Sequence, residues 1–111
     1  MIFQLPLLLK ILNLVKYLKG QHETAISNQI GRSGTSIGAN IHEAQYAHGK
    51  ADFVSKLQIA LKEANETSYW LLLLAETNYI VPAEYDRLES LCRELRITLI
   101  PSINTVKGNI K

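Results

Sequence analysis

The chain has few of the residues that cross-link or interrupt a fold. Its single cysteine, Cys92, excludes an internal disulfide, and only three prolines are present to break regular structure. Since a chain without a cysteine framework fits a reducing compartment, we expect a cytoplasmic location. Cys92 lies among apolar positions of a helical pattern, which favours a small buried side chain over a reactive thiol.

Long apolar runs are also missing. The leucine run at residues 71–75 is far shorter than the ~20 apolar residues of a membrane span. The leucine-rich residues 1–18 lack a basic start and a small-residue cleavage pattern, and Lys10 interrupts them. We therefore expect neither a membrane segment nor a signal peptide. The formal net charge of +2 is small, so electrostatic attraction of nucleic acid would require that the basic residues cluster or that the chain oligomerises.

The spacings of catalytic and metal sites do not occur. Di-iron bundles use Glu-x-x-His on two helices, whereas this chain has Glu63-x-x-Glu66 and no Glu-x-x-His. His42 and His48 are six residues apart, which is not the one-turn spacing that places two ligands on one helix face. No histidine lies near Cys92 in the sequence to act as its base. We expect no catalytic residue, no metal and no cofactor, and therefore no enzyme.

What the chain does have is apolar residues at three- and four-residue steps almost throughout, without convincing period-two alternation. Breaks at residues 20–22, 48–50 and 78–82 predict four helices, at about residues 5–19, 23–47, 51–78 and 82–106. Pro101 is predicted to kink or end the last helix near residues 98–100. Short loops between long helices predict one domain over residues 1–111, an all-α, antiparallel up-down-up-down four-helix bundle.

The first two helices each have an unusual surface. The first is apolar around most of its circumference, so we expect another subunit to cover the excess. The second contains Gly31, Gly34 and Gly38, each of which costs about 1 kcal/mol relative to alanine in a helix. Their spacing would let another helix backbone approach closely. A loop at residues 31–34 is the alternative, but a row of isoleucines stays in register across the glycines and favours one helix: Ile26, Ile30, Ile37 and Ile41.

Three segments together resemble a known family: residues 29–44, the helix start at Asp52-Phe53, and residues 60–67. The chain resembles the four-helix-bundle proteins of the 23S ribosomal RNA intervening sequence, also called S23-type proteins. Its most specific likeness is Ser-Ile-x-Ala-Asn-Ile-x-Glu at residues 36–43. The resemblance implies a bacterial, ring-like homopentamer without enzymatic activity. Related accessory variability proteins of diversity-generating retroelements bind nucleic acid and a reverse transcriptase.

Polar residues at helical spacing form a candidate register cluster. One row, on the second helix, contains Ser33, Ser36, Asn40 and Glu43. Glu63 and Glu66 form a similar pair on the third helix. If the two rows face each other in a partly buried seam, Asn40 donates to a carboxylate and the network fixes the register, because an unpaired buried group would cost about 1–3 kcal/mol. A metal or acid–base site built from Glu43, Glu63, Glu66 and a histidine is the alternative.

Basic and aromatic residues supply the other candidates. Nucleic-acid contacts are predicted for Arg32, Lys50, Lys56 and Lys62. Each alone is an ordinary solvated residue, but a ring would turn one lysine per subunit into a circle of charge facing a phosphate backbone. No alternation of aromatic and basic residues indicates a stacking surface for single strands. Tyr69 and Trp70 are expected in the core or at the subunit interface.

By its resemblance to the intervening-sequence proteins, the chain is expected to be a non-enzymatic, homo-oligomeric scaffold or adaptor that binds RNA or DNA without sequence specificity. A purely protein-binding oligomer, acting as an accessory subunit of a larger enzyme such as a reverse transcriptase, is the alternative. The expected partners are other copies of the chain, nucleic acid or a protein, and no membrane.

Overall fold

A computed structural model describes residues 4–108, and these form four α-helices without a strand. The helices are α1 (Leu5–Gly20), α2 (Ala25–Ala44), α3 (Lys50–Glu76) and α4 (Pro82–Gly108). The predicted all-α fold is confirmed, and α2 runs without interruption through its glycines.

Acidic side chains begin two of the helices. The carboxylate of Glu23 accepts the backbone N–H groups of Ile26 and Ser27, at 2.6 and 3.1 Å, just ahead of α2. In the first turn of α3, the Asp52 carboxylate accepts the backbone N–H of His48 at 3.2 Å. The Glu23 carboxylate satisfies donors that the start of α2 leaves unpaired, and the Asp52 carboxylate accepts the N–H of a residue just ahead of α3. Both carboxylates lie at the positive end of a helix dipole.

Two residues in the left-handed region end α1 and α3. His22 has φ 63° and Asn78 has φ 65°. Beyond them, the backbone N–H of Glu23 bonds Leu18 O and that of Tyr79 bonds Leu74 O, both at 2.9 Å. These 6→1 bonds satisfy carbonyls that the helix end leaves open, and they turn the chain back towards the next helix.

Pro101 is predicted from the sequence to kink or end α4 near residues 98–100, and the predicted end is wrong. The helix continues through Pro101 to Gly108. Leu99 and Ile103 on either side of it are almost fully buried, and this packing holds both halves of the helix against the bundle. Pro101 itself is exposed, so water can reach the backbone near the hydrogen bond that the ring removes.

The three glycines of α2 form the surface on which α1 lies. A β-carbon added at Gly34 would lie only 2.8 Å from Cγ2 of Ile11, so α1 approaches more closely than any larger residue would permit. The predicted close approach of another helix is therefore confirmed. The neighbours pair in the reversed order that antiparallel helices require: Gly31 with Val15, Gly34 with Ile11, and Gly38 with Leu8.

Apolar residues from all four helices form one core, whose members include Ile11, Ile37, Leu71 and Leu99. α1 contacts α2 and α4, α2 contacts α3, and α3 contacts α4. The bundle therefore closes in chain order around the core. Within the described part of the chain, no helix combines the length and hydropathy that a bilayer span requires.

Part of the apolar surface of α1 stays outside this core. Leu5, Leu9 and Leu12 are 44, 59 and 44% exposed, and their spacing places them on one face of the helix. The predicted excess of apolar surface on the first helix is therefore present in the single chain. Its burial by another subunit stays a prediction.

Candidate functional site

A buried pair of hydroxyl groups joins α2 to α3. Ser33 Oγ and Thr67 Oγ1 lie 2.8 Å apart, and both residues are fully buried. Thr67 also donates to the backbone carbonyl of Glu63 at 2.9 Å. Since a hydroxyl has one proton, this bond leaves Ser33 as the donor to Thr67. Of the polar row predicted on α2, Ser33 therefore does face α3, but its partner is Thr67, which the sequence did not suggest.

One arginine of α2 binds two carboxylates of α3. Nη1 of Arg32 lies 2.9 Å from Oε2 of Glu63, and Nη2 pairs with Oε2 of Glu66. The Glu63 side chain is only 9% exposed, while that of Arg32 is 51% exposed. Because an unpaired buried carboxylate is strongly unfavourable, Arg32 provides the compensating charge for Glu63.

Trp70 extends this network. Its Nε1 donates to Oε2 of Glu66 at 3.1 Å, and its ring packs against the core. Tyr69 lies beside it in an edge-to-face arrangement with ring centroids 5.0 Å apart, but is 54% exposed. Trp70 therefore belongs to the single-chain bundle, whereas Tyr69 presents most of its ring to the surroundings.

The rest of the register cluster does not join the network. Asn40 Nδ2 donates to the backbone carbonyl of Ser36 at 2.9 Å and to Ser36 Oγ at 3.1 Å. The predicted bond from Asn40 to a carboxylate is therefore wrong, because the preceding turn of its own helix offers acceptors at shorter reach. Glu43 is exposed and lies 3.8 Å from the Lys56 ammonium across the α2–α3 seam.

The four basic candidates fall into two groups. Arg32 and Lys56 already face carboxylates of the chain. Lys50, in the first turn of α3, and Lys62, further along it, are both exposed. Only Arg32 and Lys56 are therefore placed at the seam between α2 and α3 by their partners.

Between α3 and α4, the structure shows a polar cluster that sequence reasoning missed. Arg96 donates to Ser68 Oγ of α3 and to Glu89 Oε1 of its own helix, both at 2.8 Å. The seven-residue step from Glu89 to Arg96 is two helical turns and could have indicated the pair. The bond to Ser68 depends on helix packing and has no counterpart in the sequence pattern.

Cys92 lies beside this cluster and is fully buried, as predicted. Burial raises the pKa of the Cys92 thiol to about 11, and the Glu89 charge acts in the same direction. A hydrogen bond with Ser68 and the Arg96 charge lower this pKa by less. The thiol is therefore protonated near neutral pH, which makes it a poor nucleophile.

A shallow groove of about 400 Å³ opens where α2 meets α3. We call it the turn groove, and it is lined by His42, Glu43, Tyr46, His48, Asp52 and Lys56. Although the groove contains two histidines and two carboxylates, no three His, Cys, Asp or Glu side chains of residues 4–108 are placed to hold a metal ion. The rings of His42 and Tyr46 lie 5.3 Å apart, centroid to centroid.

The chain is similar to known proteins over most of its length. A family model described as 23S rRNA-intervening sequence protein matches residues 5–100. A solved structure of a protein with unknown function from the S23 ribosomal protein family of Bacteroides thetaiotaomicron VPI-5482 is similar at 50% sequence identity and a TM-score of 0.88. The similarity covers 91% of this chain and 94% of that chain. No curated protein matches. With almost the whole bundle inside the family match, the chain belongs to the 23S rRNA-intervening sequence proteins.

Proposed function

We propose that the chain is a non-enzymatic scaffold that assembles with copies of itself and binds nucleic acid on the assembled surface. The observation that carries the proposal is the apolar outer face of α1, where Leu5, Leu9 and Leu12 are each more than two-fifths exposed. Scattered exposed apolar residues need no explanation, but a continuous stripe of leucines is typical of an interaction surface.

The occupant that we propose for this stripe is the outer face of α3 in a second copy. Tyr69 and Leu72 of α3 are 54 and 42% exposed, and their three-residue spacing places them on one side of the helix. Among the described residues, α1 and α3 are diagonal in the bundle, because each has α2 and α4 as its neighbours. Joining two different, opposite surfaces is a heterologous contact, which generates a ring when the rotation closes. The family resemblance favours five copies.

Charge on α1 supports a nucleic-acid role for such an assembly. Lys10, Lys16 and Lys19 lie on α1, which contains no acidic residue. In a ring, each of these lysines, like Lys50 and Lys62, would be repeated once per subunit. Repeated cations bind phosphates through counterion release, which is salt-dependent and nearly independent of sequence.

A second candidate function is a protein-binding accessory subunit without nucleic-acid contacts. It is favoured by the ion pairs that already engage Arg32, Lys56, Arg87 and Arg96 with carboxylates of the same chain. These pairs reduce the positive field that a phosphate backbone would meet.

Light scattering coupled to size exclusion tests the assembly. We expect a mass that is a multiple of the 12.5 kDa of one chain, and five chains if the family resemblance holds. Leu9→Glu and, separately, Leu72→Glu should yield smaller species, because each places a charge in the proposed contact. Ile97→Glu is the matched control, since Ile97 is 63% exposed on α4, outside the contact. A stable wild-type monomer, or disruption by Ile97→Glu alone, would refute the proposed interface.

Binding of labelled RNA and DNA at two salt concentrations separates the two functions. Affinity that falls by orders of magnitude between about 50 and 200 mM salt supports the nucleic-acid role, since phosphate contacts have that dependence. Absence of binding at the lower salt, together with a stable complex with one specific protein, would favour the accessory-subunit role.

A further inference from the structure

We propose that the turn groove binds an unpaired base and an adjoining phosphate of single-stranded nucleic acid. This inference rests on the proposed nucleic-acid role and gives that role a location. The groove combines an exposed aromatic ring with the ammonium group of Lys56. Aromatic rings and cations are the two components of surfaces that bind single strands without sequence preference.

The aromatic component is Tyr46. At 73% exposure, it is more exposed than any other large hydrophobic residue among residues 4–108. It lies just beyond the end of α2, one turn after His42, and the tilted His42 ring supports one side of it at 5.3 Å between centroids. A supported ring with an open face is a stacking platform for a flat base, and every base has such a face.

The cationic component comes from the other side of the groove. Lys56 of α3 lines it, while Lys50, exposed in the first turn of α3, lies outside the lining but only two residues from His48 and Asp52, which belong to it. The two acids of the groove are already engaged: Asp52 accepts the backbone N–H of His48, and Glu43 faces Lys56. A phosphate that binds here would compete with Glu43 for Lys56. Lys50, in the turn of α3 that follows the groove residue His48, would be a second cation for it.

The order of the residues explains why the sequence pattern gave no indication of this surface. Tyr46 is preceded by His42 and followed by His48 and Lys50, but these residues span a helix end, a turn and a helix start. No single periodicity unites them. Only the turn between α2 and α3 brings them to one edge of the bundle.

Fluorescence anisotropy with a labelled single strand of about 12 nucleotides tests the inference at low salt. Tyr46→Ala should weaken binding by about tenfold or more, whereas Tyr46→Phe should retain it, because phenylalanine keeps the ring. Tyr17→Ala is the matched control: Tyr17 is 51% exposed on α1 and stands next to Lys16. Lys50→Gln should lower the salt dependence by about one phosphate contact. Because all three positions are exposed, these substitutions leave the core intact, and circular dichroism of each variant checks the fold.

The outcomes separate the inference from the proposed function. Strand binding that is unchanged in Tyr46→Ala, or equally weakened by Tyr17→Ala, would overturn the inference and leave nucleic-acid binding in place elsewhere on the assembly. Either result would favour a protein as the occupant of the groove. Duplex binding as tight as single-strand binding would also overturn it, because paired bases offer no free face. Absence of any oligonucleotide binding at low salt would overturn both.

Discussion

Replacing Gly34 by alanine tests the contact between α2 and a rigid, buried side chain of α1. The added methyl group would lie 2.8 Å from Cγ2 of Ile11, whereas carbon atoms pack best at about 3.5–4.0 Å. Ile11 is fully buried, and its β-branched side chain has little freedom at χ1. Relief therefore requires α1 to move away from α2 by about an ångström, which would loosen the core contacts of α1.

The expected magnitude follows from two opposing effects. Alanine in place of glycine favours a helix by about 1 kcal/mol. Overpacking a tight contact costs about 1–3 kcal/mol, and the rigid partner places Gly34→Ala towards the upper end of that range. We expect a net loss of about 1–2 kcal/mol in the free energy of unfolding.

The other two glycines of α2 provide internal controls. At Gly31 a β-carbon would meet Val15 Cγ2 at 3.4 Å, an ordinary contact, so Gly31→Ala should stabilise the protein by up to about 1 kcal/mol. At Gly38 the clash is with a terminal methyl group of Leu8, a half-buried side chain that can rotate away. Gly38→Ala should therefore lie between the other two variants.

Urea denaturation followed by circular dichroism measures all three variants at one protein concentration, because assembly makes stability concentration-dependent. The order predicted for stability is Gly31→Ala, then Gly38→Ala, then Gly34→Ala. A Gly34→Ala variant as stable as the parent would refute the reasoning, since it would mean that α1 can adjust freely over α2. An equal gain in stability at all three positions would show that helix propensity alone determines the effect of these substitutions.

Three further predictions concern the polar groups. Arg32→Met should lower the free energy of unfolding by about 1–2 kcal/mol, because it leaves Glu63 without its cation. Adding Glu63→Gln to this variant should restore part of the loss in the same denaturation assay. Strictly additive effects of the two substitutions would contradict the pairing. The native Cys92 thiol should resist a thiol reagent at pH 8, because raising its pKa from 9.0 to about 11 lowers the thiolate fraction about a hundredfold and burial blocks access, whereas the unfolded chain should react rapidly. The rise also implies that stability falls as the pH increases from 9 towards 11, since the unfolded thiol loses its proton first. Asn40→Ala should cost less than about 1 kcal/mol by thermal unfolding, because its acceptors belong to Ser36 of the same helix; a larger loss at high protein concentration alone would place Asn40 at a subunit contact.

Much of the fold could be predicted because the apolar pattern and the breaks between helices are local properties. Gly20, Asn78 and Pro82 lie close to the observed helix limits, and the isoleucines of α2 correctly indicated one continuous helix. The prediction that Pro101 could end α4 failed because the packing of the buried residues on both sides of it overrides the helix-breaking tendency of proline. The polar site was harder to predict, since hydrogen-bond partners depend on which side chains meet across two helices.

The sequence by itself determined that this protein is a four-helix bundle, that Cys92 is buried and that the glycines of α2 allow a close helix approach. These follow from periodicity and side-chain size, which act within one helix. Only the tertiary structure decided that α1 is the helix on those glycines, that Arg32 serves Glu63 and Glu66, and that Asn40 bonds within its own helix. It also decided that Tyr46 and its basic neighbours share one edge. Partners across a seam are chosen by the relative rotation and offset of the helices, and a linear pattern does not encode those quantities.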